Sequence, residues 1–335
     1  MRKIQFAFVM FIISAVTVFA QPEFSKVNSM AGAFSRMGFG ARGIGMGNAA
    51  SAVLHGNVST YYNPALSVFQ QDNAVQTGYT VLGLDRSLNF FSFTRRFEFY
   101  SASDTMQVSR KPRTTAGISA GIINSGVSDI QERDNQGNIK STFSTSENQF
   151  YLAIANRFSE KLTVGLSAKF YYYQLFKDIS STGFGFDIGA IYSINNNFAV
   201  SVVLSDINSK YKWDTAPLYG TSGTNTTDDF PFAKKLGISY YLEDVRLQLA
   251  AEIVESGGES TFGRFGAEYN IYDKLYLRCG VDGFDFTNSD NPVRPAAGFS
   301  YSQKTGGVVV GVDYAFVSEA YGTGDRHVIG LHIVF

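Results

Sequence analysis

The stretch Lys161–Tyr173, KLTVGLSAKFYYY, alternates apolar side chains with polar or small ones. One set consists of Leu162, Val164, Leu166, Ala168, Phe170 and Tyr172. The other set consists of Thr163, Gly165, Ser167, Lys169, Tyr171 and Tyr173. Successive side chains of a β-strand point to opposite faces, so this period of two predicts a strand with one apolar face and one polar or small face.

The same alternation recurs from residue 73 to the end of the chain, and it predicts fourteen strands. They lie near 73–84, 86–97, 113–125, 145–157, 161–174, 181–194, 197–208, 232–242, 244–255, 260–271, 273–283, 292–302, 304–318 and 324–335. Their length matches the 9–11 residues of a tilted transmembrane strand, whereas the strands of a soluble β-sandwich, the alternative fold, average about five to six. The sequence therefore predicts an all-β fold, a transmembrane antiparallel β-barrel.

The predicted connections alternate in length, as they do in outer-membrane barrels. Tight turns include Phe158–Lys161, Asn195–Asn197, Leu242–Asp244 and Asn270–Lys274, and longer polar loops include Gly126–Ser144, Ser209–Pro231 and Phe284–Asn291. One connection, 98–112, is expected to be tight and is not. Short turns on one rim and long loops on the other again favour a membrane barrel over a sandwich.

Composition excludes several other classes of protein. The 335 residues carry 28 Lys+Arg and 29 Asp+Glu, so no polyanionic partner such as nucleic acid is expected. The single Cys279 cannot form a disulfide within the chain, and the three histidines are too scattered to suggest a metal site. Neither a cofactor nor a bound metal is predicted.

Both ends of the chain carry patterns that predict processing, export at the N-terminus and barrel assembly at the C-terminus. Arg2 and Lys3 precede an apolar run that ends at Val18-Phe19-Ala20, which predicts a cleaved signal peptide over 1–20 rather than an uncleaved anchor. The last residues alternate and end on Phe335, and they resemble the signal that the barrel-assembly machinery reads. The positions that carry this resemblance are Gly330, Ile333 and Phe335, whereas Val328 departs from its usual polar residue.

Residues 24–71 lack acidic side chains and are rich in Gly, Ala and Ser. Gly38, Gly40 and Gly43 match the GxGxxG pattern of dinucleotide-binding folds. That motif needs a preceding strand and an acid about twenty residues later, and neither is present. Small residues allow close backbone packing, so we predict a plug over 21–72, followed by the barrel over 73–335. The predicted plug motif comprises Gly38, Gly40, Arg42, Gly43, Gly45, Gly47, Asn63, Pro64 and Ala65.

The run FSRMGFGARGIGMG at 34–47, together with YNPAL at 62–66, resembles the PorV/PorQ family of outer-membrane proteins. More distantly, the Asn-Pro-Ala box at 63–65 and the layout resemble the FadL fatty-acid channels. The resemblance implies a fourteen-stranded barrel with an N-terminal plug. It also implies a role in either type IX secretion or passage of hydrophobic compounds. The Asn-Pro-Ala box is expected either to hold or gate the plug, or simply to form a turn before the first strand.

Charged side chains fall on the predicted inner face. They include Arg157, Lys169, Asp187, Glu252, Arg264, Glu268, Arg278, Asp282, Asp313 and Arg326. Mutual pairing that fills a narrow lumen is the favoured interpretation, and a polar lumen that contacts the plug or lines a route is the alternative. The loop 209–231 holds aromatic residues that either contact an extracellular partner or fold over the mouth, namely Tyr211, Trp213 and Tyr219.

Catalysis is not expected. Acyl hydrolysis needs Ser, His and an acid together, and no Gly-x-Ser-x-Gly elbow occurs, although His332 is predicted to point inward.

The leading hypothesis is an outer-membrane accessory of type IX-like secretion that binds secreted proteins or secretion components at the cell surface. The alternative is a FadL-like channel for hydrophobic small molecules. Membrane lipid and the barrel-assembly machinery are further expected partners in a Gram-negative outer membrane.

Overall fold

The chain folds into a closed antiparallel barrel of fourteen strands, as the sequence predicted. The structure is a computed structural model that describes residues 30–100, 112–257, 260–286, 291–320 and 324–335. The predicted signal peptide, 1–20, lies outside the described residues.

Sixteen strands form in the described residues, and fourteen of them build the barrel. In chain order they are β1 (Ala74–Leu82), β2 (Arg86–Phe99), β3 (Thr114–Arg133), β4 (Ile139–Arg157), β5 (Leu162–Phe176), β6 (Ile179–Ser193), β7 (Phe198–Ile207), β8 (Lys210–Asp214), β9 (Asn225–Asp229), β10 (Ala233–Leu242), β11 (Leu247–Ser256), β12 (Ser260–Tyr272), β13 (Leu275–Asp285), β14 (Arg294–Thr305), β15 (Val308–Val317) and β16 (Arg326–Val334). β8 and β9 form a separate hairpin, so β7 pairs with β10 in the wall. Pairing of β1 with β16, from Ala74 opposite Val334 to Val81 opposite His327, closes the ring.

Side chains alternate between the lumen and the outer surface along each wall strand. In β5, Leu166 is 51% exposed whereas the neighbouring Ser167 is 4% exposed. Leu236 and Ile253 show the same outward placement on β10 and β11. Only a lipid environment makes such a continuous outward apolar surface favourable, and closure pairs the first barrel strand with the last.

Helical structure is short throughout the described residues. α1 (Gly40–Gly45) and α2 (Ala216–Tyr219) are α-helical, and 3₁₀ turns form at Ala33–Arg36, Pro64–Phe69, Gly220–Ser222 and Glu243–Val245. In the part of the chain that the structure describes, none of these helices has the length and apolarity to cross a bilayer.

Two predicted loops contain more structure than expected. Instead of ending near 125, β3 continues to Arg133 and pairs with an extended β4. The segment Gly126–Ser144 is therefore mostly a hairpin whose β-branched and polar side chains suit a strand pair in water. Similarly, Ser209–Pro231 holds β8, α2 and β9. The unusual connection 98–112 joins β2 to β3, and its residues 101–111 lie outside the described ranges.

The two rims of the barrel differ. One rim carries the β4–β5, β6–β7, β10–β11, β12–β13 and β14–β15 turns, together with the start of β1 and the end of β16. We call it the short-turn rim. The opposite rim carries the β3–β4 hairpin and the β7–β10 connection, and we call it the long-loop rim. In outer-membrane barrels the short turns face the periplasm and the long loops face the medium.

Residues 30–72, called the plug from here on, precede β1 and lie inside the barrel. α1 contacts β13, β14, β15, β16 and β1, and the turn Pro64–Phe69 contacts the opposite wall from β2 to β6. Phe39, Ala65 and Leu66 are among its fully buried side chains. The plug thus packs across the lumen and fills the space between opposite sides of the wall.

Candidate functional site

The plug rests on inward-facing glycines of the barrel wall. Eight strands contribute one each: Gly117, Gly165, Gly189, Gly237, Gly266, Gly280, Gly298 and Gly330. At Gly165 a Cβ atom would lie 2.5 Å from the backbone nitrogen of Ala65, and at Gly280 it would clash with the backbone of Met46 and Gly47. Because backbone atoms cannot move aside as flexible side chains do, the wall is shaped to the plug in its present position.

This packing gives a first prediction. We expect Gly165→Ala to lower the free energy of unfolding by about 1–3 kcal/mol, because the added methyl overpacks the contact with Pro64 and Ala65. Gly307→Ala is the matched control, since a Cβ there meets nothing within 4 Å. Denaturant unfolding of both variants in lipid vesicles measures the difference. Equal unfolding midpoints would show that the plug does not press on the wall at Gly165.

The Gly-rich part of the predicted plug motif forms α1 and its flanks. Gly38, Gly40 and Gly47 have positive φ angles of 105°, 74° and 60°, which glycine adopts at the lowest cost. Gly43 and Gly45 lie within α1, where Gly43 packs directly against the Tyr62 ring and Gly45 approaches Gly298 of β14. The motif therefore combines backbone turns with close packing.

The Asn-Pro-Ala box joins two parts of the plug. The Asn63 side-chain oxygen Oδ1 accepts a hydrogen bond from the Ala65 backbone N–H at 3.0 Å, which caps the turn that begins at Pro64. Its amide nitrogen donates to the Ser51 carbonyl at 3.0 Å. Asn63 and Ala65 are fully buried. The geometry assigns the box a bracing position inside the plug, while a gating role remains a proposal.

Arg42 carries the charge contact between plug and wall. Its Nε and Nη2 donate to the two Glu268 carboxylate oxygens at 2.9 and 2.7 Å. Its Nη1 and Nη2 also donate to the Asn57 and His55 carbonyls, each at 2.8 Å. Glu268 of β12 additionally accepts from Arg278 Nε at 2.5 Å. Buried bidentate pairs of this kind fix geometry as well as charge.

Burial within the plug also determines the protonation of two other side chains. Burial raises the pKa of Tyr61 to about 12, so its hydroxyl remains a donor and bonds the Ser35 carbonyl at 2.6 Å. Burial, followed by the positive charge of Arg42, lowers the pKa of His55. The His55 ring is consequently neutral at pH 7, and it stacks on Tyr241 with ring centroids 4.6 Å apart.

The structure places the predicted inward charges in paired clusters. Lys169 Nζ lies 2.8 Å from Asp187 and 2.9 Å from Asp206. Arg264 bridges Glu252 and Asp282, each at 2.8 Å, and Asp282 also accepts from Asn48 of the plug.

The remaining predicted charges lie nearer the two rims. Arg278 approaches Asp313 at 3.7 Å. Arg326 pairs with Glu319 at 2.5 Å and donates to the Met37 carbonyl of the plug at 3.2 Å. Arg157 lies over the Phe69 ring at 5.2 Å.

The sequence analysis did not identify three further charged residues that lie in or near these clusters. Asp206 lies where β7 leaves its regular register, with a positive φ of 61°, so simple alternation does not place it in the lumen. Glu319 lies beyond the end of β15, in a segment without periodicity. Lys235 lies on the inward face of β10. Because the adjacent Leu236 faces outward, the alternation along β10 could have identified Lys235 as a lumen residue.

A cavity of about 370 Å³ lies between the plug and the long-loop rim. Ala33, Arg36 and Met37 of the plug line it from one side. The wall contributes Lys169, Lys235, Arg264, Asp206, Val254 and Phe262. Charged and apolar side chains are thus mixed around one space of the volume that small-molecule sites occupy.

The predicted partner loop mainly packs onto the barrel. Tyr211 is 1% exposed and Trp213 is 9% exposed, and both rings contact Tyr173 of β5. Only Tyr219, at 64% exposed, presents its ring to solvent among the three predicted residues. The aromatic cluster corresponds to the fold-over alternative.

The predicted assembly signal occupies β16 and the residue after it. Gly330 faces inward beside Ala41 of the plug. Ile333 and Phe335 face outward and are exposed. Recognition of these residues by the assembly machinery stays a prediction.

The sequence matches no family model and no curated protein. Among solved structures, the toluene transporter TodX of Pseudomonas putida is 13% identical with a TM-score of 0.57, over 88% of this chain and 97% of that one. The monoaromatic hydrocarbon channel CymD is 15% identical with a TM-score of 0.58, over 89% and 98%. A FadL homologue of Pseudomonas aeruginosa is 12% identical with a TM-score of 0.51, over 88% and 98%.

The fold is that of the FadL-like outer-membrane barrels. These neighbours are transporters and channels rather than enzymes. At such identities the similarity establishes the architecture alone.

Proposed function

We propose that this chain is a FadL-like outer-membrane protein that takes up a small molecule from the medium. The cavity above the plug carries the proposal, because it lies beneath the long-loop rim and the plug lines one side of it. Two structural neighbours are a toluene transporter and a monoaromatic hydrocarbon channel, and their function supports uptake of a small organic molecule. We also propose that the protein lies in the outer membrane of a Gram-negative bacterium, after export through a cleaved signal peptide over 1–20.

The lining indicates which ligands fit. Met37, Val254 and Phe262 offer apolar contacts, whereas Lys169 and Arg264 stand close by. A ligand with an apolar body and a polar group contacts both kinds of side chain, whereas a pure hydrocarbon would displace water from the charged side chains and offer them no hydrogen bond in return. We therefore propose an amphipathic small molecule as the ligand class.

Filling the cavity tests this function. Ala33→Trp places an indole at an exposed plug residue that lines the cavity, and we expect uptake of the ligand to fall several-fold. Ala216→Trp is the matched control, because Ala216 is exposed on α2 and does not line the cavity. Uptake is measured with a labelled panel of aromatic acids and toluene in cells that lack the native gene. Equal uptake by both variants would contradict the proposal.

A type IX secretion accessory of the PorV/PorQ kind is the second candidate function. The closely packed plug favours it, since a protein that binds cargo at the cell surface needs a sealed lumen. The projecting β3–β4 hairpin offers a surface for secreted proteins or secretion components. Comparative mass spectrometry of secreted proteins, with and without the gene, tests this role. Loss of proteins that share a C-terminal sorting domain, restored by complementation, supports it, and an unchanged set contradicts it.

A further inference from the structure

Three side chains on neighbouring strands form a hydrogen-bonded chain near the short-turn rim. Ser302 Oγ of β14 lies 3.1 Å from His332 Nε2 of β16. His332 Nδ1 lies 2.5 Å from the Asp313 carboxylate of β15. A hydroxyl, an imidazole and a carboxylate in this order form the arrangement that activates a serine nucleophile.

The strand register brings the three residues together. Ser302, Gly311 and His332 occupy one row across β14, β15 and β16. Gly311 has no side chain, and a Cβ there would clash with the His332 ring, so the ring lies over the glycine and reaches Ser302. Asp313 follows two residues later on the same face of β15 and meets the other ring nitrogen. The strand register alone therefore produces this arrangement, without a Gly-x-Ser-x-Gly elbow.

The partners of each group set the direction of the hydrogen bonds. An ionised carboxylate accepts only, so His332 Nδ1 carries the proton that points to Asp313. In the neutral imidazole Nε2 is then the acceptor, and it faces the Ser302 hydroxyl. The Ser300 hydroxyl donates to Asp313, and Arg278 lies 3.7 Å away, which stabilises the carboxylate in its charged form. The imidazole is therefore oriented as a base toward Ser302.

Ser302 is also accessible. It is partly exposed, whereas His332 and Asp313 are each 8% exposed. β14 ends at Thr305, three residues beyond Ser302, so the hydroxyl lies close to the short-turn rim. The cavity of the proposed uptake function lies toward the opposite rim and does not include these residues. A reactant would arrive from the periplasmic side of the plug.

We propose that Ser302, His332 and Asp313 form an acyl-ester hydrolase site that opens toward the periplasm. Ser302 Oγ attacks the ester carbonyl carbon while His332 Nε2 takes the hydroxyl proton. The C–O bond to the leaving alcohol then breaks, and that alcohol receives the proton from His332. Water next attacks the acyl-serine with His332 as base, which releases the carboxylic acid and restores the Ser302 hydroxyl. No oxidant, reductant or metal is required.

The test uses the full-length protein, refolded in detergent micelles. We expect a fluorophosphonate probe to label it on Ser302, located by peptide mass spectrometry, and p-nitrophenyl butyrate to be hydrolysed. Ser302→Ala should abolish labelling, and His332→Gln should slow hydrolysis at least about 10²-fold. Ser193→Ala is the matched control, since Ser193 is another lumen serine near the short-turn rim, on β6, and should behave as wild type.

The outcomes separate catalysis from a structural role. Folding of each variant is verified by its heat-modifiable migration, so that loss of labelling reports chemistry. Labelling that maps to Ser302 and depends on His332 supports the site. Absence of labelling on the folded wild-type protein, or equal hydrolysis by Ser302→Ala, overturns it. The uptake assay with Ala33→Trp is independent, because it reports on the opposite side of the plug.

Discussion

Replacing Arg42 with Met is expected to lower the free energy of unfolding by about 3 kcal/mol, the lower end of the range for breaking a buried ion pair from one side, because Glu268 keeps Arg278 as a partner. The Arg42 side chain is 15% exposed and that of Glu268 is 7% exposed, so water cannot replace the lost partner freely. The substitution also removes the donors to the His55 and Asn57 carbonyls. Reversible unfolding in urea, followed in lipid vesicles by Trp213 fluorescence, measures the loss.

An exposed arginine provides the control for this effect. Arg246 pairs with Asp273 at 2.5 Å, but the two side chains are 52% and 84% exposed. Arg246→Met is expected to cost less than about 1 kcal/mol, because solvent screens surface pairs. If both substitutions cost the same, Arg42 does not hold the plug to the wall through a desolvated contact.

Introducing arginine at Ile238 is expected to destabilise the barrel by about 2–4 kcal/mol, because the guanidinium would face hydrocarbon near the middle of the bilayer. Ile238 lies midway along β10 and its side chain is 46% exposed on the outer surface. The measurement is the unfolding free energy in vesicles of defined lipid composition.

Depth in the membrane, rather than the arginine itself, should determine this cost. Val245→Arg is the matched control, since Val245 is 50% exposed in the turn between β10 and β11 at the short-turn rim. There the expected cost is about 0–1 kcal/mol. Similar losses at both positions would contradict the outward facing of β10 or its place in the bilayer.

The strands and their facing could be predicted from the sequence because both are local properties. Lys169 and Leu166 are separated onto opposite faces by a period of two that any extended chain produces. The charges on the predicted inner face accordingly lie inward in the structure. Where local regularity fails, the prediction fails too, as at Asp206, whose bulge reverses the expected facing.

The pairing of those charges could not be predicted in the same way. Arg42 and Glu268 are 226 residues apart, and only closure of the barrel around the plug brings them within 2.7 Å. The glycines of the wall illustrate the same limit. Gly165 and Gly280 look like ordinary small residues on the polar face of a strand, and their contact with the plug backbone is visible only after assembly.

By itself, the sequence determined the class of fold, the number of barrel strands and the facing of side chains in the regular parts of those strands. These properties follow from the alternation of apolar and polar side chains, because one face of each strand contacts lipid and the other faces the lumen. The tertiary structure decided the position of the plug, the cavity above it and the meeting of Ser302, Asp313 and His332. Such arrangements depend on strand register and on contacts between distant segments, and a single sequence does not encode these in any local pattern.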